Sequence, residues 1–177
     1  MSGATTLQPD HLRVTSWVHE HGESVRGFVF AMVRRDDVAD DLVQEVFRRA
    51  WQARDRYEEN GCARAYLLRI ADRLVCDRGR NARREVTLDD SAWQEMEPCD
   101  NLAEPRSAMA RRETQQSVQD ALACLTYSQR RVLLLRFYGD LSFAEIAEQL
   151  GCPLGTALSH CRRGLLAMRK KISEDAS

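Results

Sequence analysis

The chain has 177 residues, of which 44% are hydrophobic and 30% charged, and its formal net charge is -1. This length suffices for one ordinary domain or two small ones, and the hydrophobic fraction can fill a core, which excludes a disordered chain. No segment approaches the ~18 consecutive apolar residues of a membrane span, and the start lacks a basic stretch followed by an apolar one, so we expect a cytoplasmic protein without membrane insertion.

Three segments of the N-terminal half repeat apolar residues with the period of an α-helix, and no segment alternates convincingly as a strand does. They comprise Val25, Phe28, Val29 and Met32; positions 38, 39, 42, 43, 46, 47, 50 and 51; and Leu67, Ile70, Ala71 and Leu74. Opposite the second stripe lie Asp40, Asp41, Gln44, Glu45 and Arg48. The pattern predicts an N-terminal lobe of about three helices.

The third of these helices carries arginines that packing does not require. Arg69, Arg73 and Arg80 are spaced four and then seven residues apart, which places them on one helix face. A row of guanidinium groups can follow a phosphate backbone. Gly79 weakens a helix, so we expect the turns around Arg83 to fray.

Charge is segregated along the chain. Residues 62–84 hold seven arginines and residues 152–171 hold five basic side chains, whereas residues 85–105 hold seven acids and no lysine or arginine. Either basic block alone is typical of a solvated helix face, but two of them around an acidic segment favour a pair of polyanion-binding surfaces. The acidic segment lacks helical period and predicts a domain boundary, with domains at 1–84 and 111–177 and a linker at 85–110.

The second lobe begins with another helical stripe, at Val118, Ala121, Leu122 and Leu125. Thr126 and Gln129 then fit a capping box, in which a hydroxyl and an amide satisfy free N–H groups at the start of a helix. Ser142 and Glu145 fit a second box. The first box predicts a helix that Gly139 ends.

Residues 139–171 join two short helical patterns through a glycine. Ala147 is small where two helices must cross closely, Gly151 can adopt a left-handed turn, and Ala157 is a small inward residue, which is the spacing of a helix-turn-helix. The second helix is predicted to turn inward Ala157, Cys161, Leu165 and Met168. Its outer face, whose polar groups can reach base edges in a major groove, holds Thr156, Ser159, His160 and Arg163. Residues predicted to meet phosphates are Arg162, Arg169, Lys170 and Lys171.

Small-glycine-small spacing also occurs in ordinary helical hairpins, so the spacing alone leaves both interpretations open. Two capping boxes and a second helix with basic residues and no acid before residue 174 favour DNA binding. The sequence therefore favours a DNA-binding C-terminal lobe.

Cysteine and histidine spacing does not indicate a metal or redox site. The six cysteines (62, 76, 99, 124, 152 and 161) lack CxxC spacing, and we expect most of them to be small buried hydrophobes. His160 with Cys161, and the pair His19 and His21, lack companions at ligand spacing. No metal and no cofactor is predicted.

Three blocks resemble one family and follow its order. They read DDVADDLVQEVFRRAW at 36–51, ARAYLLRIADRLVCDRGR at 63–80 and LTYSQRRVLLLRFYGDLSFAEIAEQLGCPLGTALSHCRRGL at 125–165. They look like the two domains of an extracytoplasmic-function (ECF) sigma factor, a short bacterial initiation subunit of RNA polymerase. The resemblance implies an all-α fold: a region 2-like three-helix lobe and a region 4-like helix-turn-helix lobe, joined by the acidic linker. It implies promoter-specific transcription initiation by a protein without catalytic residues of its own.

The resemblance also implies partners and site residues. The helix at 38–51 would dock on the beta-prime clamp of core RNA polymerase, with candidate contacts Asp40, Asp41, Gln44, Glu45 and Arg48. The helix at 63–80 and the loop before it would hold the minus-ten promoter element, with candidates Asn60, Arg64, Arg69, Arg73 and Arg80. The helix-turn-helix would read the minus-thirty-five element through Thr156, Ser159, His160, Arg162 and Arg163. The beta subunit is a further partner, and such proteins are often held by an anti-sigma factor, which the sequence does not name.

Several residues depart from the family pattern. Tyr66 stands where the family commonly has Trp, and Arg73 where Asn is common, so a minus-ten base preference does not transfer. Leu158 and His160 replace two usual basic residues of the recognition helix, which predicts weaker phosphate attraction and an altered base preference. Gly164 in that helix is expected to cost up to ~1 kcal/mol relative to alanine.

Three other classes of protein fit the sequence less well. A one-component or response-regulator-type transcription factor shares the helix-turn-helix but needs a ligand or receiver domain, and the N-terminal lobe lacks strand alternation. An all-helical interaction adaptor explains the amphipathic faces but not the segregated arginines. An enzyme fits least, because no nucleophile-base set or glycine-rich phosphate loop occurs.

Overall fold

The computed structural model describes residues 10–57, 62–86 and 116–175. The chain divides into two compact units, Met1–Asp77 and Arg78–Ser177, and the division falls within a helix. Every regular element of the described residues is helical, which confirms the predicted all-α fold. None of these helices combines the length and the hydropathy that a bilayer span requires. The predicted linker at 85–110 lies outside the described residues, apart from its first two positions.

The first three helices are α1 (Asp10–Val33), α2 (Asp36–Gln52) and α3 (Ala63–Val86), with a 3-10 turn at Arg54–Arg56. Arg34, whose φ of 54° is left-handed, separates α1 from α2, and its N–H donates to the Phe30 carbonyl at 2.7 Å. Helix α3 continues through Gly79 and ends at Val86, so Arg83 and Arg84 lie in its last turn. One glycine costs only about 1 kcal/mol, which does not end a long helix.

The core of the first unit takes one stripe from each helix. The buried side chains include Val25, Phe28, Val29 and Met32 of α1; Val38, Ala39, Leu42, Val46 and Ala50 of α2; and Leu67, Leu68, Ala71, Leu74 and Val75 of α3. The rest of the predicted α2 stripe is not in the core, since Val43 and Phe47 are half-buried and Trp51 is 40% exposed. Each step of four residues advances about 40° around a helix. The row at 39, 43, 47 and 51 therefore rotates out of the core, whereas the row at 38, 42, 46 and 50 stays in it.

The second unit contains α4 (116–123), α5 (Tyr127–Phe137), α6 (Phe143–Leu150) and α7 (Leu154–Asp175). Both predicted capping boxes are confirmed. The Gln129 N–H donates to the Thr126 hydroxyl at 3.4 Å, and the Glu145 N–H donates to the Ser142 hydroxyl at 3.3 Å. In each box the side chain at the third helical position accepts from the capping residue's own N–H. Local hydrogen bonds therefore set where α5 and α6 begin.

The end of α5 falls beside Gly139, as predicted, with Tyr138 as the capping residue. The helix ends at Phe137, and the left-handed residue that follows is Asp140, with a φ of 54°, rather than Gly139. A short polar side chain tolerates this conformation better than most residues do. Arg136 closes the turn by donating to the Leu141 carbonyl at 3.0 Å.

The turn between α6 and α7 has the predicted glycine geometry. Gly151 is left-handed, with a φ of 64°. Its N–H donates to the Glu148 carbonyl at 3.1 Å, and the Cys152 N–H donates to the Ala147 carbonyl at 3.0 Å. This pair of bonds is a Schellman motif, which closes the end of α6 and turns the chain into α7.

The inward face of α7 is partly different from the predicted one. Ala157 and Cys161 are buried as expected, but Leu165 is 45% exposed, and Gly164 takes the next buried position. Met168 is half-buried. A step of four and then three residues keeps a position on one face, whereas two steps of four rotate it by about 80°.

The cysteines are less buried than predicted. Of the five in the described residues, Cys161 is buried, Cys76 and Cys152 are half-buried, and Cys62 and Cys124 are exposed. All five are free thiols. The expectation that most cysteines fill the core is therefore wrong, because they fall at helix ends and turns as often as on inner faces.

Candidate nucleic-acid interface

The first turns of α7 present the residues predicted to contact DNA. Arg162 and Arg163 are exposed, and Thr156, Ser159 and His160 are half-buried. The turn at Gly151 and the buried side of α7 position this part of the helix. The structure therefore brings all five predicted residues to the N-terminal half of one helix and buries none of them.

Two of these side chains have a defined orientation. Arg163 donates from Nε to the Ser159 carbonyl at 3.3 Å, which leaves its two terminal nitrogens for a ligand. The Nδ1 atom of His160 is buried and lacks a hydrogen-bond partner within the described part of the chain. An atom enclosed by protein cannot reach an external base, so Nε2 is the ring nitrogen that His160 can offer.

The rest of α7 carries basic residues that the sequence assigned to phosphates. Arg169 and Lys170 are exposed, and Lys171 is half-buried. Lys170 pairs with Glu174 at 3.8 Å, but both side chains are more than half exposed, so the pair is weak. Sequence reasoning missed the exposed leucines later in the same helix, among them Leu165 at 45%, because helical period does not tell an edge position from a buried one.

Helix α3 separates the predicted minus-ten residues. Arg69, Arg73 and Arg80 share one face, where Arg73 and Arg80 are exposed and Arg69 is half-buried. Arg64 lies five residues before Arg69, or about 1.4 turns, and so falls on the buried side. Its Nε is buried without a hydrogen-bond partner within the described residues. Asn60 lies outside the described residues.

An aromatic cluster that sequence reasoning did not predict joins α1 to the start of α3. The ring centroids of Trp17 and Tyr57 are 4.8 Å apart, those of Tyr57 and Tyr66 are 4.7 Å apart, and Trp17 is 6.1 Å from Tyr66. Burial raises the pKa of Tyr66. The sequence feature that could have indicated this cluster is Tyr66, which stands where the family commonly has Trp. The cluster holds the N-terminal turn of α3, close in sequence to the predicted minus-ten loop.

The polar face of α2 is divided between paired and free side chains. Asp40 accepts from Arg26 of α1 at 2.9 Å, and Glu45 accepts from Arg48 at 2.6 Å and from Arg49 at 2.8 Å. The hydrogen bonds from Arg48 and then Arg49 lower the pKa of Glu45 to about 2.

Asp41 and Gln44 lie between these ion pairs. Both are exposed, and neither has a side-chain partner among the described residues. Of the five predicted polymerase contacts, these two therefore keep their full hydrogen-bonding capacity for another protein.

An open groove between α1 and α2 lies beside these residues. Its surface is almost entirely apolar and is lined by Val18, Gly22, Glu23, Arg26, Val43, Gln44 and Phe47. Val18 is 47% exposed. The half-buried members of the predicted α2 stripe thus line a groove next to Gln44.

Among the described residues, no group of three or more His, Cys, Asp or Glu side chains could hold a metal ion.

Comparison with known proteins assigns both units. The Sigma-70 region 2 family matches residues 17–85, and the Sigma-70 region 4 family matches residues 115–168. The ECF RNA polymerase sigma factor SigW of Bacillus subtilis is 30% identical over 146 residues, which cover 77% of this chain and 76% of SigW. The chain belongs to the ECF sigma factors. ECF sigma factor SigC of Mycobacterium tuberculosis is 36% identical over 137 residues, covering 77% of this chain and 71% of SigC.

Two solved structures share the fold of this ECF sigma factor. One is the sigma factor RpoE from Bartonella quintana in complex with the anti-sigma factor NepR, with a TM-score of 0.71, 22% identity, and coverage of 91% of this chain and 97% of that one. The other is CnrH in complex with the cytosolic domain of CnrY, with a TM-score of 0.59, 22% identity, and coverage of 93% and 90%. The region 4 match ends at residue 168, so the basic end of α7 lies beyond it.

Proposed function

We propose that this ECF sigma factor directs initiation at specific promoters through three surfaces: the first turns of α7, the arginine face of α3 and the polar face of α2. The observation that carries the proposal is the helix-turn-helix of α6 and α7, in which a Schellman turn and small crossing residues hold a helix with exposed arginines. The region 2 and region 4 matches support a division of labour between the two units.

The first turns of α7 enter the major groove of the minus-thirty-five element, which is wide enough for an α-helix. Thr156, Ser159 and the Nε2 atom of His160 contact base edges. Arg163, held by the Ser159 carbonyl, offers its two terminal nitrogens to a guanine. Arg162 contacts a phosphate.

The arginine face of α3 holds the melted minus-ten strand. Arg69, Arg73 and Arg80 follow its phosphates, because guanidinium groups on one helix face can track a single-stranded backbone. Arg64, in the first turn of α3, and Asn60, four residues before it in the sequence, serve the unpaired base, which needs a pocket. The position of Arg64 on the other side of α3 supports a role at the loop rather than along the phosphate row.

The polar face of α2 docks on the beta-prime clamp of core polymerase. Asp41 and Gln44 supply polar contacts, and the adjacent groove with Phe47 supplies apolar area, a combination of polar rim and apolar centre that is typical of protein interfaces. Asp40, Glu45 and Arg48 take part as ion-paired side chains. The beta subunit and an anti-sigma factor are further partners; the RpoE and CnrH complexes with NepR and CnrY support the latter.

The protein supplies binding and orientation in the cytoplasm, and the polymerase core supplies the catalytic residues. Residues 1–84 form the domain for core and minus-ten binding, residues 85–110 form the linker, and residues 111–177 form the minus-thirty-five domain. The region matches at 17–85 and 115–168 support these boundaries.

In vitro transcription from genomic fragments tests the proposal. The full chain is added to core polymerase that lacks a sigma subunit, and the RNA five-prime ends are sequenced. We expect transcripts that start at defined positions and share upstream motifs. Core polymerase alone should give no such defined starts. A variant with both Arg162 and Arg163 changed to Ala should still copurify with core but lose the defined starts. A folded protein that leaves the start sites of core unchanged would refute the proposal.

A further inference from the structure

The first turns of α7, where the proposed DNA contacts lie, also expose an apolar side chain beside Arg162. Leu158 is 44% exposed, whereas its polar neighbours Thr156, Ser159 and His160 are half-buried. Removing a leucine side chain from water lowers the free energy. We therefore expect the surface that binds the neighbouring polar groups to cover Leu158 as well.

The position of Leu158 places it with the proposed contacts rather than with the core. It is adjacent to Ser159 and one helical turn before Arg162, and residues four apart are neighbours on a helix surface. The buried residues Ala157 and Cys161, about 100° and 60° around the helix from Leu158, hold the neighbouring face of α7 against the rest of the unit. A duplex that contacts Ser159 and Arg162 therefore also meets Leu158.

The chemistry of the major groove offers a specific partner to such a side chain. Leucine cannot donate or accept a hydrogen bond and cannot attract a phosphate. The apolar group that a base pair presents in the major groove is the C5-methyl of thymine. The duplex surface that best covers Leu158 is therefore one with a thymine at the contacted position.

We propose that Leu158 is a specificity-determining residue that contacts the C5-methyl group of a thymine in the minus-thirty-five duplex. This inference rests on the proposed function of α7 and adds a base preference to it. The exposed leucines of the later turns, Leu165 and Leu166, do not share the role. Leu166, which is 56% exposed, lies eight residues further along, or about 12 Å along the axis, beyond the first turns.

Deoxyuridine substitution tests the contact, because it removes the thymine methyl and keeps every hydrogen-bonding group. The holoenzyme, formed from the full chain and core polymerase, first selects its preferred minus-thirty-five duplex from a random pool. Each thymine of that duplex is then replaced singly by deoxyuridine, and Kd is measured. At one thymine we expect binding to weaken ~3- to 5-fold, which is the effect of about one buried methyl group.

The variants assign the effect to one side chain. Leu158→Ala should bind the thymine and deoxyuridine duplexes equally, and Leu158→Met, which keeps a long apolar side chain, should retain most of the discrimination. Leu166→Ala is the matched control and should discriminate as the unchanged protein does. Circular dichroism checks that each variant is folded.

Two results would overturn the inference while leaving DNA reading by α7 intact: no thymine responds to the loss of its methyl group, or Leu158→Ala discriminates as strongly as the unchanged protein. In the second case, reduced copurification of Leu158→Ala with core would assign the leucine to a protein interface. A selection that yields no preferred duplex would instead refute the proposed function of α7, and the inference with it.

Discussion

Gly164 of α7 faces Leu133 of α5 so closely that a Cβ atom on the glycine would lie 2.9 Å from Leu133 Cδ1. The same Cβ would lie 3.4 Å from the Cβ of Gln129. The absence of a side chain thus permits α7 to cross α5 at this distance. Gly164 was expected only to weaken its helix, but it also sets how the recognition helix packs on its support.

Substitution of two glycines separates helix propensity from packing. A Cβ atom on Gly79 of α3 would meet no other atom within 4 Å, so Gly79→Ala should raise the free energy of unfolding by about 0.5–1 kcal/mol. Gly164→Ala gains the same propensity but must displace Leu133, and overpacking costs about 1–3 kcal/mol. Gly164→Ala should therefore lower the free energy of unfolding or leave it unchanged. Urea unfolding followed by circular dichroism measures both changes.

A shortened neighbour provides the control for Gly164. In a Leu133→Ala background the contact atom is gone, so adding Gly164→Ala should now stabilise the protein. Equal stabilisation by Gly79→Ala and Gly164→Ala in the unchanged background would show that the close approach has no energetic effect.

Arg163→Ala should reduce specificity. If Arg163 contacts a base, its loss costs about 1–3 kcal/mol on the preferred duplex and much less on a scrambled one. The matched control is Arg169→Ala, on the basic end of the same helix. It should weaken binding to both duplexes alike and reduce the slope of log K against log salt concentration by about one. Kd values of the holoenzyme at several salt concentrations distinguish these effects. Equal losses on both duplexes for Arg163→Ala would make it a phosphate contact.

Asp41→Arg combined with Gln44→Ala should impair binding to core polymerase and leave the helices intact. Both side chains are exposed and lack partners among the described residues, so their replacement breaks no internal contact. Copurification with core measures the loss, and circular dichroism checks folding. Glu20→Arg, the same kind of charge reversal at an exposed position of α1, should bind core normally. Retention of core binding by the double variant would exclude this face of α2 as the docking site.

Glu45 should make stability depend on pH in a defined window. Its pKa is lowered from 4.5 to about 2 by hydrogen bonds from Arg48 and Arg49, so the folded state binds this proton less readily than the unfolded state does. The resulting stabilisation is complete above about pH 4.5 and is lost as pH falls toward 2. Glu45→Gln removes it. The difference in unfolding midpoint between the two proteins should therefore shrink between pH 5 and 3, and a constant difference would contradict the assignment.

Local sequence patterns predicted the helices well where short-range chemistry decides the structure. Both capping boxes are present, at Thr126 and Ser142, and Gly151 adopts the left-handed turn. These features depend on residues within five positions of one another, so an unfolded segment already contains all the information. The same holds for the all-α fold, because helical period is a property of each segment.

The candidate site was predictable in part. The five α7 residues lie together because they belong to one helix, whereas the faces of α3 separate Arg64 from the other arginines. The aromatic contact of Trp17 with Tyr57 and Tyr66 joins α1 to residues about 40 and 50 positions further along the chain. Its geometry follows from how α1 and α3 pack, which no local pattern records.

Composition, helical period and capping residues were enough to predict two helical lobes and the helix-turn-helix, and the resemblance of three sequence blocks indicated the family. The packing of neighbouring helices settled which residues at the edge of each apolar stripe are buried: Gly164 rather than Leu165 on α7, and Val46 rather than Phe47 on α2. The physical reason is that adjacent edge positions differ by only a fraction of a turn. Whether such a side chain meets water or protein therefore depends on where the next helix lies.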